Sequence, residues 1–170
     1  DSAAVSFQIL PMRWSRARTS DGPRILQPGR ALCDDPSVPI PLHVVGAAVI
    51  EDGRLLLVSK QEAPEVFYLP GGKPEADEAP KETLARELHE ELGVAIVESE
   101  PFGIVSDEAA LERTAMEMQV VLVRVAGVVS PRAEIAAVAG VGADGESPGR
   151  LAPAIRNHVL PELAAQQLIA

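Results

Sequence analysis

Three glutamates lie close together near the middle of the chain, at Glu87, Glu90 and Glu91. On a helix, residues three and four positions apart share one face, so these carboxylates would converge over an arc of roughly 100°. Like charges at such spacings destabilise a helix by ~0.2–0.5 kcal/mol per pair. A hard divalent cation would offset the repulsion, because Mg²⁺ prefers oxygen ligands and binds carboxylates together with substrate phosphates. The spacing therefore favours a magnesium site.

A solvated acidic face is the alternative, since glutamate is a good helix former and is common on surface helices. The apolar stripe of the same helix is formed by Leu84, Leu88 and Leu92. Glu87 and Glu91 lie at the edge of that stripe, near the core boundary, where an unpaired charge is costly. Their position favours the metal site over the solvated face.

The glutamates belong to a longer pattern, G-x5-E-x7-R-E-U-x-E-E-x-G-U, in which U is a bulky aliphatic residue. The fixed positions are occupied by Gly72, Glu78, Arg86, Glu87, Leu88, Glu90, Glu91, Gly93 and Val94. This pattern resembles the signature of the Nudix hydrolase family at every fixed position. The resemblance is strong over residues 72–94, and it is weaker but consistent from about His43 to the C-terminus.

The resemblance implies an enzyme that hydrolyses a diphosphate linked to another moiety, usually a nucleoside, with Mg²⁺ or Mn²⁺ as cofactor. By position, the resemblance implies metal binding by Glu87, Glu90, Glu91 and Gly72, and a salt bridge between Glu78 and Arg86 that orients the ligands. The absence of Cys and His from this set suits a hard cation rather than zinc. The general base is then Glu87 or a glutamate outside the pattern.

Residues outside the pattern supply candidates for substrate binding, namely Arg54, Phe67, Tyr68, Glu112 and Glu134. The two aromatic rings could stack on a base, although aromatic residues in strands usually belong to a core. Glu112 and Glu134 flank a predicted strand and are candidates for the general base, which must reach the attacking water. The ordinary alternative for both is a solvated surface glutamate.

Composition limits the possible partners. A chain of 170 residues with 46% hydrophobic residues can bury one good core. Its net charge of −10 is unsuited to duplex nucleic acid but compatible with a small nucleotide-type substrate bridged by metal. A single cysteine and the lack of a long apolar run or signal pattern favour a cytoplasmic protein that does not contact a membrane. A homodimer remains open.

The chain divides by composition at about residue 42. Residues 1–42 are rich in Pro, Gly and Ser and carry a net charge of +1, which predicts an N-terminal extension. Within it, residues 4–10 could form a strand. The extension is either a dimerisation or substrate-covering arm or a loosely attached tail. Residues 43–170 are expected to form the Nudix hydrolase domain.

Local signals place the main elements of that domain. Two apolar runs flank Asp52-Gly53, and Asp-Gly in this setting predicts a β-hairpin. A helix is predicted from Pro80, which suits a first helical turn, to Gly93, which suits a left-handed C-cap. Ala79 offers no hydroxyl for capping, so the start of the helix is expected to be weakly capped.

The second half of the chain supplies further strands and another helix. Strands are predicted at 101–106 and 115–125, and the glycine-rich stretch 139–150 predicts a loop that is either mobile or a lid over the substrate. A roughly helical apolar pattern follows from Pro153, with a kink or break expected at Pro161. These elements predict an α/β fold with a mixed sheet between helices, which agrees with the α/β/α sandwich implied by the resemblance.

The leading hypothesis is a Mg²⁺-dependent Nudix hydrolase acting on a nucleoside diphosphate-linked compound, either a nucleoside triphosphate or a nucleotide sugar. The alternative from another class is a catalytically weak Nudix-fold sensor that binds a nucleotide or ADP-ribose and regulates a partner. The complete set of glutamates and Arg86 disfavours the sensor, because binding alone does not require every ligand. Nucleic-acid binding through the arginines of 1–42 is a third hypothesis.

Overall fold

The computed structural model describes residues 24–25 and 40–170. The strands within this part of the chain are β1 (Arg24–Ile25), β2 (Leu42–Glu51), β3 (Arg54–Lys60), β4 (Ala63–Tyr68), β5 (Gly71–Gly72), β6 (Ala95–Glu108), β7 (Ala115–Ala126), β8 (Ile135–Val141) and β9 (Arg150–Leu151). The helical elements are α1 (Pro80–Leu92), a π-helical turn (Ile155–Val159) and α2 (Leu160–Ala165). None of the helices in the described part is long and apolar enough to cross a membrane.

The predicted hairpin at Asp52-Gly53 joins β2 to β3. Both turn residues have positive φ, 49° and 72°, as a two-residue turn between twisted strands requires. The strands pair in antiparallel register, with Ile50 opposite Leu55. The turn chemistry read from the sequence is confirmed.

The sheet is mixed, with the order β1-β6-β7-β2-β3-β4-β9, while β5 pairs with β2 and β8 pairs with β3. Its centre is the parallel pair β2 and β7, and β6 lies antiparallel to β7. The side chains of β3 alternate between the two faces: Leu55 and Leu57 enter one core, and Leu56 and Val58 enter the other. Such alternation is expected for a strand buried on both faces.

A helix covers each face of the sheet. On one face, Leu84, Leu88 and Leu92 of α1 pack in a core with residues of β2, β3 and β7. On the other face, Ile155 and Leu163 of the C-terminal helical segment pack in the second core. The predicted α/β/α sandwich with a mixed sheet is thus confirmed.

Helix α1 is closed at both ends. At the start, the Ala79 N–H donates to Glu82 Oε2 at 2.8 Å, and the Glu82 N–H donates to the Ala79 carbonyl at 2.9 Å. The Glu82 carboxylate thus supplies half of a capping box, although Ala79 has no hydroxyl. At the end, Gly93 has φ 70° and its N–H donates to the His89 carbonyl, which confirms the left-handed C-cap.

The loop between β7 and β8 also contacts the end of α1. The Ser130 N–H donates to the Leu92 carbonyl at 3.1 Å, and the Arg132 N–H donates to the Glu91 carbonyl at 2.8 Å. These bonds satisfy carbonyls that a helix end otherwise leaves without partners. The loop therefore anchors the helical turn that carries Glu91.

The irregularity expected at Pro161 takes the form of the π-helical turn that precedes it. Proline lacks an N–H, and its ring would collide with the carbonyl four residues earlier in a regular α-helix. The wider π-helical turn relieves that collision. A second difference is β8. The stretch 139–150 was expected to be a loop, but its first three residues complete β8, where Ala139 and Gly140 pair with Leu57 and Leu56.

Of the N-terminal extension, residues 24–25 and 40–42 are described. The backbone of Arg24–Ile25 pairs in parallel with Gly103 and Ile104 of β6. The strand expected at 4–10 lies outside the described residues. The domain boundary at residue 42 stays a prediction.

Candidate functional site

The site is built where β5 meets α1. The Gly71 N–H donates to Glu91 Oε2 at 3.0 Å. Gly71 has φ 136°, and a Cβ there would collide with the Val45 carbonyl oxygen. A Cβ at Gly72 would collide with the Glu87 carboxylate. Only glycine at both positions lets the backbone approach the two carboxylates this closely.

Glu91 is a buried carboxyl group with spare bonding capacity. The residue is 2% exposed, and Oε1 has no hydrogen-bond partner within the described part of the chain. Burial raises the pKa of the Glu91 carboxyl to about 7, and the nearby charge of Glu87 acts in the same direction, while the bond from Gly71 opposes it. A buried unpaired oxygen is costly, so this atom is well placed to accept a cation or proton.

Arg86 connects the loop to the helix. Its Nε donates to Glu78 Oε1 at 3.0 Å and its Nη2 to Glu78 Oε2 at 2.8 Å, a bidentate arrangement that fixes the guanidinium. Its Nη1 donates to Glu87 Oε1 at 2.6 Å. The hydrogen bonds from Arg86 lower the pKa of Glu78 to about 2. The salt bridge implied by the resemblance is therefore present, and it also holds Glu87.

The carboxylates fit a hard divalent cation by chemistry, although they do not already form a complete cage. Glu90 is exposed, whereas Glu87 and Glu91 are partly or fully buried. No three His, Cys, Asp or Glu side chains in the described ranges are arranged to hold a metal ion. The unpartnered Glu91 Oε1, the nearby Glu87 carboxylate and the backbone at Gly72 are all oxygen donors of the kind that Mg²⁺ prefers.

A cavity of about 440 Å³ opens beside these residues. Its charged lining residues include Arg86 and Glu87, next to Gly72. Its apolar lining residues, most of which belong to or pack against the core that contains Ile155, are Leu42, Val44, Leu69, Met116, Met118, Ala152, Ala154 and Ile155. A volume and polarity of this kind suit a small molecule with a charged and an apolar part.

Several candidates for substrate binding line the same cavity. Glu112 forms an ion pair with Lys73 at 3.3 Å, and Glu134 forms one with Lys60 at 3.1 Å. The hydrogen bond from Lys60 lowers the pKa of Glu134, which keeps that carboxylate charged. Tyr68 lines the cavity as well. Burial, together with surrounding glutamates, raises the pKa of the Tyr68 hydroxyl above its usual range, so the group stays a donor.

Two other candidates are not brought to the cavity. Phe67 is 3% exposed and lies in the core that also contains Val66 and Leu69, and it is not among the residues that line the cavity. Arg54 is exposed at the start of β3 and donates from Nη1 to the Gly140 carbonyl at 3.3 Å. Substrate contact by either residue is not supported by these positions.

Sequence reasoning did not single out Lys60 and Lys73 for the site, although both line the cavity. Lys73 directly follows Gly71-Gly72, so its place next to the signature could have indicated it as a site residue. Lys60 ends β3, and its proximity to Glu134 depends on the register of β3 with β8. That register is not readable from a single strand.

Comparison with known proteins agrees with this architecture. The family model described as NUDIX domain matches residues 41–146. A MutT-like protein of Streptomyces ambofaciens is 42% identical over 67 residues, covering 38% of this chain and 43% of the relative. A CTP pyrophosphohydrolase of Escherichia coli is 38% identical over 56 residues, covering 31% of this chain and 42% of the relative. The alignments thus span less than half of these two relatives.

A solved structure is similar over a larger share of the chain. The crystal structure of a MutT NUDIX hydrolase from Burkholderia pseudomallei has a TM-score of 0.62 and 29% sequence identity, and the match covers 73% of this chain and 98% of that one. Because the family model spans more than half of the sequence and the fold agrees, the chain belongs to the Nudix family.

Proposed function

We propose that this protein is a Mg²⁺-dependent Nudix pyrophosphohydrolase that cleaves the diphosphate bond of a nucleoside diphosphate-linked compound. Membership of the family supports hydrolysis of a phosphoanhydride. The observation that carries the proposal is the buried Glu91: one of its oxygens has no partner among the described residues, and the other accepts from Gly71, which lines the cavity together with Glu87.

Each residue has a role that its contacts support. Glu87 and Glu91 would hold the metal, with Glu90 and the Gly72 carbonyl completing the set. Arg86 and Glu78 hold Glu87 against the glycine loop. When bound, the ion would neutralise charge on the phosphates and lower the pKa of a water.

Glu134 and Glu112 are the candidates for a base acting on the attacking water, since both line the cavity. Each is ion-paired with a lysine, so a shift of that lysine towards the substrate would free the carboxylate. The hydrogen bond from Lys60 lowers the pKa of Glu134, so Glu134 would become a stronger base only when that pair opens.

The cavity supports a nucleotide-type substrate. Its charged lining residues are suited to a metal-bridged phosphate chain, and its apolar lining residues are suited to a nucleoside. One relative is named a CTP pyrophosphohydrolase, which favours a nucleoside triphosphate, with a nucleotide sugar as the second choice. The net charge of −10 opposes binding of such an anion, and a bridging cation would offset that repulsion.

The test is hydrolysis of a panel of nucleoside triphosphates and nucleotide sugars, with and without Mg²⁺, with mass identification of both products. We expect Mg²⁺-dependent release of a nucleoside monophosphate. Glu91→Gln should lower kcat/KM by about 100-fold or more, because the amide is a neutral and poorer ligand.

The matched control is Glu98→Gln, the same chemical change at an exposed glutamate paired with Arg124, which should retain full activity. Equal activity of Glu91→Gln and the unmodified protein would contradict the proposal. Absence of turnover on every compound, combined with unchanged tight nucleotide binding by Glu91→Gln, would instead indicate a nucleotide sensor.

A further inference from the structure

Two buried hydroxyl groups in the described part of the chain have no hydrogen-bond partner, those of Ser59 and Tyr68. A buried polar atom without a partner destabilises a folded protein by roughly 1–3 kcal/mol. Such groups are therefore rare and call for an explanation. The two residues differ in location, because Tyr68 lines the cavity and Ser59 does not.

The location of Tyr68 within the cavity is informative. The residue ends β4, and it packs against both hydrophobic cores. It therefore stands where the carboxylate-bearing side of the sheet meets the apolar side that carries Ile155. A ligand that contacts both the charged and the apolar lining residues of the cavity would pass this point.

We propose that the Tyr68 hydroxyl is a substrate-binding donor whose hydrogen bond is completed by an acceptor oxygen of the bound nucleotide. The inference rests on the proposed function and adds a recognition contact to it. Glu91, Glu62, Glu134 and Glu112 all place negative charge near this hydroxyl, so the group is suited to donating a proton and not to accepting one. The contact is polar, unlike the ring stacking that the sequence suggested for Tyr68.

The proposal predicts opposite effects on stability and on binding. Phenylalanine keeps the ring and removes only the hydroxyl. Tyr68→Phe should therefore stabilise the free protein, because it removes a buried hydroxyl that has no partner among the described residues. The same change deletes a contact to the ligand. Functional sites commonly show this exchange of stability for activity, whereas a hydroxyl with a purely structural role would lower stability when removed.

The experiment compares Tyr68→Phe with Ser59→Ala, which removes the other unpartnered hydroxyl away from the cavity. Both variants should unfold at temperatures about 2–4 °C higher than the unmodified protein. Only Tyr68→Phe should raise KM for the preferred nucleotide, by about tenfold, with kcat changed less than about twofold. An unchanged KM, or a lower unfolding temperature, would overturn the proposal.

Two further arms separate the possible causes. If the acceptor is a phosphate oxygen, Tyr68→Phe should weaken the binding of inorganic tripolyphosphate as much as that of the nucleotide. If the acceptor is an oxygen of the nucleoside, the affinity for tripolyphosphate should not change. If the unmodified protein hydrolyses nothing, the proposed function fails. Calorimetric binding of nucleoside monophosphates then decides the role of Tyr68, and equal affinities in both proteins, or no binding by either, overturn it.

Discussion

Two glutamates of the same signature are held in opposite electrostatic environments. Glu78 accepts two hydrogen bonds from Arg86, and its pKa falls to about 2. Glu91 is buried, one of its oxygens has no hydrogen-bond partner among the described residues, and its pKa rises to about 7. Glu78 is already ion-paired with Arg86, whereas Glu91 keeps an oxygen available for a further partner. This contrast assigns a structural role to Glu78 and leaves Glu91 for a ligand.

The Glu78–Arg86 pair predicts a pH-dependent stability. The pKa of Glu78 is lower in the folded protein than its ordinary value of 4.5, so the pair contributes fully above about pH 4.5. That contribution is lost as the pH falls towards 2. Urea unfolding of Glu78→Gln and the unmodified protein should show a larger difference at pH 7 than at pH 3. A difference that grew on acidification would contradict this assignment.

The nature of the site could be predicted from sequence because its main residues are local. Gly72, Glu78, Arg86 and the helix glutamates occupy a short window. Helical geometry brings Arg86 and the glutamates of α1 together, and Gly72 and Glu78 precede that helix. Lys60 and Tyr68 end two separate strands, β3 and β4, and Glu134 directly precedes β8. Their convergence depends on how β3 pairs with β4 and β8, which a single sequence does not specify.

Helix α1 is the element that positions the site, and it is fixed from both sides. Gly71 of β5 bonds the Glu91 carboxylate, and the loop after β7 bonds the Glu91 and Leu92 carbonyls. The Arg132 side chain lies directly against Gly93. The end of α1 therefore requires glycine at the C-cap position, Gly93.

Gly93→Ala should destabilise the protein, because Gly93 has φ 70° and its new Cβ would collide with the Arg132 guanidinium. The left-handed conformation alone costs a non-glycine residue roughly 1–2 kcal/mol. We expect a loss of at least this size in the free energy of unfolding of Gly93→Ala, measured by urea titration. Metal affinity should also fall, since the same turn carries Glu91.

Gly140→Ala is the matched control. Gly140 lies in β8 without a positive φ, and its added Cβ would lie 3.4 Å from the Arg54 side chain, an ordinary contact. A change in stability below about 0.5 kcal/mol is expected there. Equal destabilisation by the two substitutions would show that the C-cap conformation is not the cause.

The start and end of α1 were predictable from Pro80 and Gly93, but β8 was not. Its residues, IAAVAGV, include small side chains and a glycine, which have weak strand preferences. The strand forms because β3 offers an edge for pairing. Tertiary pairing here outweighs local propensity.

At the scale of the whole molecule, one sheet joins two hydrophobic cores. Ile135 belongs to the core beneath α1, and Ile169 belongs to the core on the opposite face. Both are buried, at 4% and 7% exposure. Because β2, β3 and β7 contribute to both cores, the domain should unfold as one cooperative unit.

Ile135→Val and Ile169→Val should each lower the free energy of unfolding by about 0.5–1.5 kcal/mol. The double variant should lose the sum within about 0.5 kcal/mol, because the two positions share no core. Urea titration followed by circular dichroism measures all three values. Two separate transitions in any of these proteins would contradict a single cooperative domain.

The central claim is that Glu91 and its neighbours on α1 bind a divalent cation. Mn²⁺ binding, measured by electron paramagnetic resonance without substrate, tests it most directly. The unmodified protein and Glu98→Gln should bind Mn²⁺ with equal affinity, whereas Glu91→Gln should bind at least about tenfold more weakly. Equal affinity of Glu91→Gln and the unmodified protein, or no binding by either, would contradict the account.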